Sequence, residues 1–159
     1  NLSQTRRYAG IMDALSEANV PVSNVRQIDY HTVFGSPVPS TSSYKSYEEL
    51  FFPVDYTAVI GFNDLQSYSA MEILKERGYR IPEDISLISF DHLRKTHTYL
   101  PPLTSIADNT DKSIADTAVS ILLDKIKNSD SKFTGAVLPV TIYDGHTTGP
   151  VNKAFETSF

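Results

Sequence analysis

Thr57-Ala58-Val59-Ile60-Gly61-Phe62-Asn63-Asp64 and Ile85-Ser86-Leu87-Ile88-Ser89-Phe90-Asp91-His92 decide the fold of this chain. Each is a continuous apolar run that ends abruptly in polar residues. Runs of this kind fit parallel strands buried on both faces. Between them, Ala70, Ile73 and Leu74 recur at helical spacing, and Arg77-Gly78 supplies a C-terminal glycine stop. Ile81-Pro82-Glu83-Asp84 reads as a turn. The stretch is therefore a strand–helix–strand unit, whose crossover is right-handed by rule.

Outward from this unit the pattern stays α/β. A first helix is expected over Thr5 to Glu17, with Tyr8, Ile11, Met12 and Leu15 on one face and Asn19-Val20-Pro21 ending it. Val25 to Tyr30 reads as a short strand. Thr32 to Ser46, with breakers at Gly35-Ser36-Pro37 and Pro39, reads as an irregular loop. Tyr47, Leu50 and Phe51 form a short helical turn stopped by Pro53. Leu93 to Thr104 reads as a long loop carrying Pro101-Pro102. Asp111 to Asn128 is an amphipathic helix with Ile114, Ala118, Ile121, Leu122 and Ile126 on one face. Val137 to Tyr143 is a last strand, placed at an edge by Pro139. The tail after Gly149-Pro150 is expected to be poorly ordered. The sum is an α/β fold in three layers around a mainly parallel sheet. The chain opens on a helix where such a fold opens on a strand, and Asn1 has no methionine before it. It is expected to be a piece of a longer protein, incomplete at the N-terminus.

Composition bounds the function. Cysteine is absent from the 159 residues, which excludes a disulfide scaffold and cysteine-ligated metals. Lys plus Arg total 14 against 19 for Asp plus Glu, a net charge of −5, so this surface is a poor grip for phosphate backbone. No apolar run approaches the roughly 20 residues that span a bilayer.

In open parallel sheets ligands bind beyond the carboxyl ends of the strands. That rule nominates Asn63, Asp64 and Asp91. Asp64 reads either as a helix-start carboxylate or as a ligand contact. Asn63 has an amide that both donates and accepts, which suits a hydroxyl-rich ligand, and it is also a candidate cap. Asp91 has no helix directly behind it to cap. Arg7 falls in the first turn of the expected first helix, where the dipole disfavours a cation; it reads as functional or as a solvated surface arginine. Tyr44 and Tyr47 suit either sugar stacking or cover of a sheet edge. His92 and His97 lack metal-site spacing, and nucleophile elbows and phosphate-binding glycine loops are missing from the sequence, so neither a cofactor nor an enzyme activity is expected.

Several segments together resemble the LacI/GalR family of bacterial transcription regulators. They are Arg7-Tyr8-Ala9-Gly10, the run from Thr57 to Asp64 with its helix to Gly78, and Arg80-Ile81-Pro82-Glu83-Asp84-Ile85-Ser86-Leu87-Ile88-Ser89-Phe90-Asp91. Pro101-Pro102-Leu103-Thr104-Ser105-Ile106 and Leu138-Pro139-Val140-Thr141-Ile142 through Thr147-Thr148 continue the match in order. The resemblance implies a periplasmic-binding-protein-like effector domain with two subdomains and a small-molecule cleft between them. It implies a sugar effector, a homodimer, a cytoplasmic location and operator DNA bound through a headpiece not in this chain. It places residues 1–106 and 137–149 in the C-terminal subdomain, 107–136 in the N-terminal one and 150–159 in a tail. It carries effector contacts onto Arg7, Asn63 and Asp91. Asp108 stands where the family often has a neutral polar residue; facing the cleft, it would disfavour anionic effectors. Tyr30 and His92 are candidates for a stacking residue. The rival readings are a periplasmic sugar-binding protein of a transporter, with the same fold, and an enzyme on a doubly wound fold.

Overall fold

The computed structural model describes residues 2–28, 49–93, 100–108, 113–128 and 135–152. In chain order these hold α1 (Leu2–Glu17), a 3-10 turn (Val22–Asn24), β1 (Ala58–Ile60), α2 (Asp64–Glu76), β2 (Ser86–Phe90), β3 (Thr104–Asp108), α3 (Ile114–Lys127) and β4 (Val140–Tyr143). The strands form one sheet in the order β1-β2-β3-β4. β1 and β2 are parallel, with Val59 opposite Leu87, and β2 and β3 are parallel, with Ser89 opposite Ser105. β4 runs antiparallel along β3 at the edge, with Tyr143 opposite Ser105 and Val140 opposite Asp108. Pro139 directly precedes this edge strand, where its missing N–H costs no ladder bond.

The pleat sorts the sheet into two faces. Leu87 and Ser89 of β2 point to α2 and are fully buried. There Tyr68, Met71, Leu87 and Leu103 form one apolar cluster, and Phe51, Ala70 and Ile73 form a second; Val59 touches both. On the opposite face Ile60 is 43% exposed and Ile142 64% exposed. Arg7 of α1 lies over Phe62 and Phe90 on that side. Helix ends follow their sequences. Asn63 caps α2 by accepting from the Gln66 N–H, and Ser113 caps α3 by accepting from the Asp116 N–H. Gly78 (φ 87°) ends α2 with Tyr79 N–H bonded back to the Leu74 carbonyl, and Asn19 (φ 57°) ends α1 with Val20 N–H bonded to that of Leu15.

Three expectations are corrected. Val25–Ile28 is not a strand: Ile28 packs on the Phe51 cluster, while the Arg26 guanidinium takes the Phe51 and Pro53 carbonyls. The rest of that expected strand lies outside the described residues. Thr104 begins a strand rather than ending a loop, because its buried neighbours are satisfied by hydroxyl hydrogen bonds instead of apolar contacts. Thr104 N–H donates to Thr147 Oγ1 (2.9 Å), Gly145 N–H donates to Thr104 Oγ1 (3.2 Å), and the Ser105 hydroxyl donates to Asp64 (2.7 Å). Finally, α1 begins at Leu2, so Arg7 sits in its second turn rather than its first. The segment after β4 runs back beside β2: Leu87 N–H donates to the Thr147 carbonyl (2.7 Å), and Gly149 N–H donates to Ser86 Oγ (3.0 Å). Of the expected tail, residues 150–152 are described and Asn152 bonds Asp84 (3.1 Å); residues 153–159 lie outside the description, as do Tyr30, Tyr44, Tyr47 and His97.

Candidate functional site

β1 and β2 end side by side, and the chain leaves them at Phe62-Asn63 and at Asp91. Arg7 reaches this point from α1. Its guanidinium donates to the Phe62 carbonyl (2.6 Å) and to Asp91 Oδ1 (2.7 Å). Its Cζ lies 4.9 Å from the Phe62 ring centroid and 4.8 Å from that of Phe90, within cation–π range. Two aromatic rings, a carbonyl and a carboxylate thus fix a long side chain that would otherwise sample many rotamers. Arg7 is 27% and Asp91 43% exposed, so the pair borders solvent. A solvent-bordering ion pair adds little to stability; its effect is to hold donors and acceptors in one orientation.

Asn63 stands next to this pair. Its side-chain oxygen is used as the α2 cap (2.9 Å to Gln66 N). Asp64 stands at the helix start, as one of its two readings had it, but it is not the capping residue. The cap is Asn63, and Asp64 is the first helical residue, 1% exposed. Its carboxylate accepts from the Leu93 N–H (2.6 Å) and from the Ser105 hydroxyl (2.7 Å), so it faces inward. Asp108 sits at the end of β3, and its Oδ2 accepts from the Ile114 N–H (2.8 Å) at the start of α3. The structure therefore joins Arg7 to Asp91 and to the Phe62 carbonyl, puts Asn63 at the adjoining cap of α2, sets Asp108 at the start of the next helix and buries Asp64.

Sequence reasoning did not find the corner that carries Asp91. Asp91 (φ 96°) and His92 (φ 48°) both lie in the left-handed region, unusual for consecutive non-glycine residues. The turn lays the His92 imidazole flat against the Tyr143 ring, 3.9 Å between centroids and 8° between planes. Tyr143 in turn donates its hydroxyl to the Asp108 carbonyl (2.9 Å). Among the described residues, no group of three or more His, Cys, Asp or Glu is arranged to hold a metal ion. Among the described residues, no helix is long and apolar enough to cross a membrane.

A sequence model of the periplasmic-binding-protein-like domain matches residues 1–148. The chain belongs to that family. Its relatives place this periplasmic-binding-protein-like domain with the LacI/GalR regulators. The HTH-type transcriptional repressor PurR of Aliivibrio salmonicida is 37% identical over 123 residues, which is 77% of this chain and 35% of PurR. A LacI family transcriptional regulator of Enterococcus faecium, solved with bound ribose, superposes with a TM-score of 0.74 at 24% identity, covering 94% of this chain and 53% of that one. A second such regulator, from Enterococcus faecalis V583 and also solved with ribose, gives a TM-score of 0.59 at 26% identity over 72% of this chain and 43% of that one. The domain thus spans about a third of the length of the curated relative and about half of the longer solved match. These relatives are regulators, not transporter binding proteins and not enzymes by name.

Proposed function

We propose that this chain is the effector-binding part of a LacI/GalR-type, DNA-binding transcriptional regulator, and that its effector is a sugar. The observation that carries the reading is the Arg7–Asp91 pair, set with Asn63 at the carboxyl ends of the two adjacent strands β1 and β2. A guanidinium offers donors in a fixed fork, a carboxylate offers acceptors, and an amide offers a donor. Neighbouring sugar hydroxyls, each donor and acceptor, match such a set. The ribose seen in the two Enterococcus regulators supports the same ligand class. Catalysis is no part of this reading, in which the guanidinium and the carboxylate that border solvent are paired with each other.

In this reading residues 1–106 and 137–149 are one wall of the cleft, and residues 107–136, with α3, belong to the opposite subdomain. The support is that α3 has no buried residue among those described. A ligand that bridges both walls favours one hinge angle, and in a cytoplasmic homodimer that angle sets the spacing of DNA-reading headpieces.

The test is calorimetry of the full-length protein against a panel of neutral sugars that includes ribose, with Arg7→Lys and Asp91→Asn as variants. A lost hydrogen bond to a charged group costs about 1.5–3 kcal/mol, so each variant is expected to raise Kd by about ten- to hundredfold. If both variants bind as wild type does, the site is misplaced.

A further inference from the structure

The carboxylate of Asp64 and the hydroxyl of Ser105 lie under the strained corner of the site without touching its open side. We infer that these two buried side chains are positioning residues: they hold the Asp91-His92-Leu93 corner in its left-handed turn and so keep the Asp91 carboxylate aimed at Arg7. The inference rests on the reading of Asp91 as a ligand contact.

The chain of contacts is short. Asp64 Oδ2 accepts from the Leu93 N–H at 2.6 Å, and Asp64 Oδ1 accepts from the Ser105 hydroxyl at 2.7 Å. Ser105 Oγ in turn accepts from the His92 N–H at 3.0 Å. The Asp91 N–H donates to the Ile106 carbonyl at 2.9 Å. Every main-chain N–H from Asp91 to Leu93 is therefore committed to β3 or to the base of α2. Asp64 is 1% exposed and Ser105 0%, so water does not compete for these bonds and their geometry is rigid. Non-glycine residues hold positive φ only where the surroundings over-determine them, and here the surroundings are these acceptors. Once Leu93 and His92 are pinned, the Asp91 side chain leaves the corner toward the solvent side, where Arg7 meets it at 2.7 Å. A hydroxyl at Ser105 is needed because it must accept from one partner while donating to another, which alanine, valine or a backbone group cannot do.

The experiment reads Arg7 directly. In the full-length protein labelled with 15N-arginine, Arg7 Nη–H signals, assigned with the Arg7→Lys variant, are expected to be resolved and slowly rotating because the guanidinium is clamped. Ser105→Ala and, as a second variant, Asp64→Asn are expected to collapse those signals to the averaged line of a free arginine while circular dichroism stays native. Thr147→Val removes another buried hydroxyl, one that bonds the Thr104 N–H and the Leu87 carbonyl and not the corner, and is expected to leave the Arg7 signals unchanged. Clamped Arg7 signals in folded Ser105→Ala or Asp64→Asn overturn the inference, and so does an equal collapse in Thr147→Val. Sugar affinity separates the two readings. If Asp91→Asn binds the panel as wild type does, the ligand assignment fails, while the Arg7 signals still decide whether the corner is held from below.

Discussion

At the turn before β2 the Asp84 carboxylate accepts from the Arg80 main-chain N–H (2.9 Å), from the Arg80 guanidinium (2.8 and 2.6 Å) and from the Asn152 amide (3.1 Å). These donors, the Arg80 side chain foremost, hold the Asp84 carboxyl well below the usual carboxylate range. A carboxylate depressed in the folded state stabilises the fold above its unfolded pKa of about 3.9 and loses that effect as pH falls toward its folded value. Stability is expected to decline from about pH 4 downward, and Asp84→Asn is expected to flatten that limb; urea melts across the acid range check it. Tyr56 sets the alkaline limb. Burial, opposed by the nearby Arg26, pushes its phenol up to about 12, and its hydroxyl donates to the Phe51 carbonyl (3.0 Å). The unfolded phenol ionises near pH ~10 while the folded one stays neutral, so stability is lost between the two values and Tyr56→Phe is expected to remove that loss. Asp64 shows where residue-scale reading of sequence stops. Its type and its place beside Asn63 were legible, but its partners lie 29 and 41 positions further along the chain. Nothing local distinguishes a carboxylate that faces a ligand from one that supports the loop beneath it.

Elements were legible in proportion to their apolar content. β1, α2 and β2 announced themselves because their inward positions carry Val59, Ile73, Leu74 and Leu87. β3 did not, since its buried positions include Thr104 and Ser105, whose burial depends on a hydrogen bond received from the Gly145 N–H and on others donated to Asp64 and Thr147. The same seam leaves no room at Gly145: a Cβ there would meet the Leu103 backbone, whereas one at Gly61 would meet the Ser67 hydroxyl. Backbone cannot rotate aside as a hydroxyl can. Gly145→Ala is therefore expected to destabilise by about 1–3 kcal/mol or more, and by more than Gly61→Ala, as read from paired urea unfolding curves. Equal effects at the two sites would show that the seam yields more readily than its packing implies.

For the whole molecule the unbalanced feature is α3. Ile114 is 64%, Val119 55%, Leu122 58% and Ile126 70% exposed, an apolar stripe on a capped and otherwise regular helix. Each such side chain gains about 1.5–3 kcal/mol when fully buried, so an uncovered stripe of this kind marks an interaction face. Expressed alone, residues 1–159 are expected to bind a hydrophobic dye and self-associate. Leu122→Lys with Ile126→Lys is expected to abolish both without lowering the melting temperature of the isolated chain. A lowered melting temperature in the isolated chain would mean that the stripe already packs within it. The Thr147 contacts also bear on biosynthesis. Its hydroxyl donates to the Leu87 carbonyl 60 positions earlier, and its carbonyl receives the Leu87 N–H. As the polypeptide leaves the ribosome from its N-terminus, β2 emerges well before the segment that completes its hydrogen bonds. A strand edge left open during synthesis pairs with other chains when nothing shields it, so the nascent chain has to be kept apart from its copies until Thr147 has emerged.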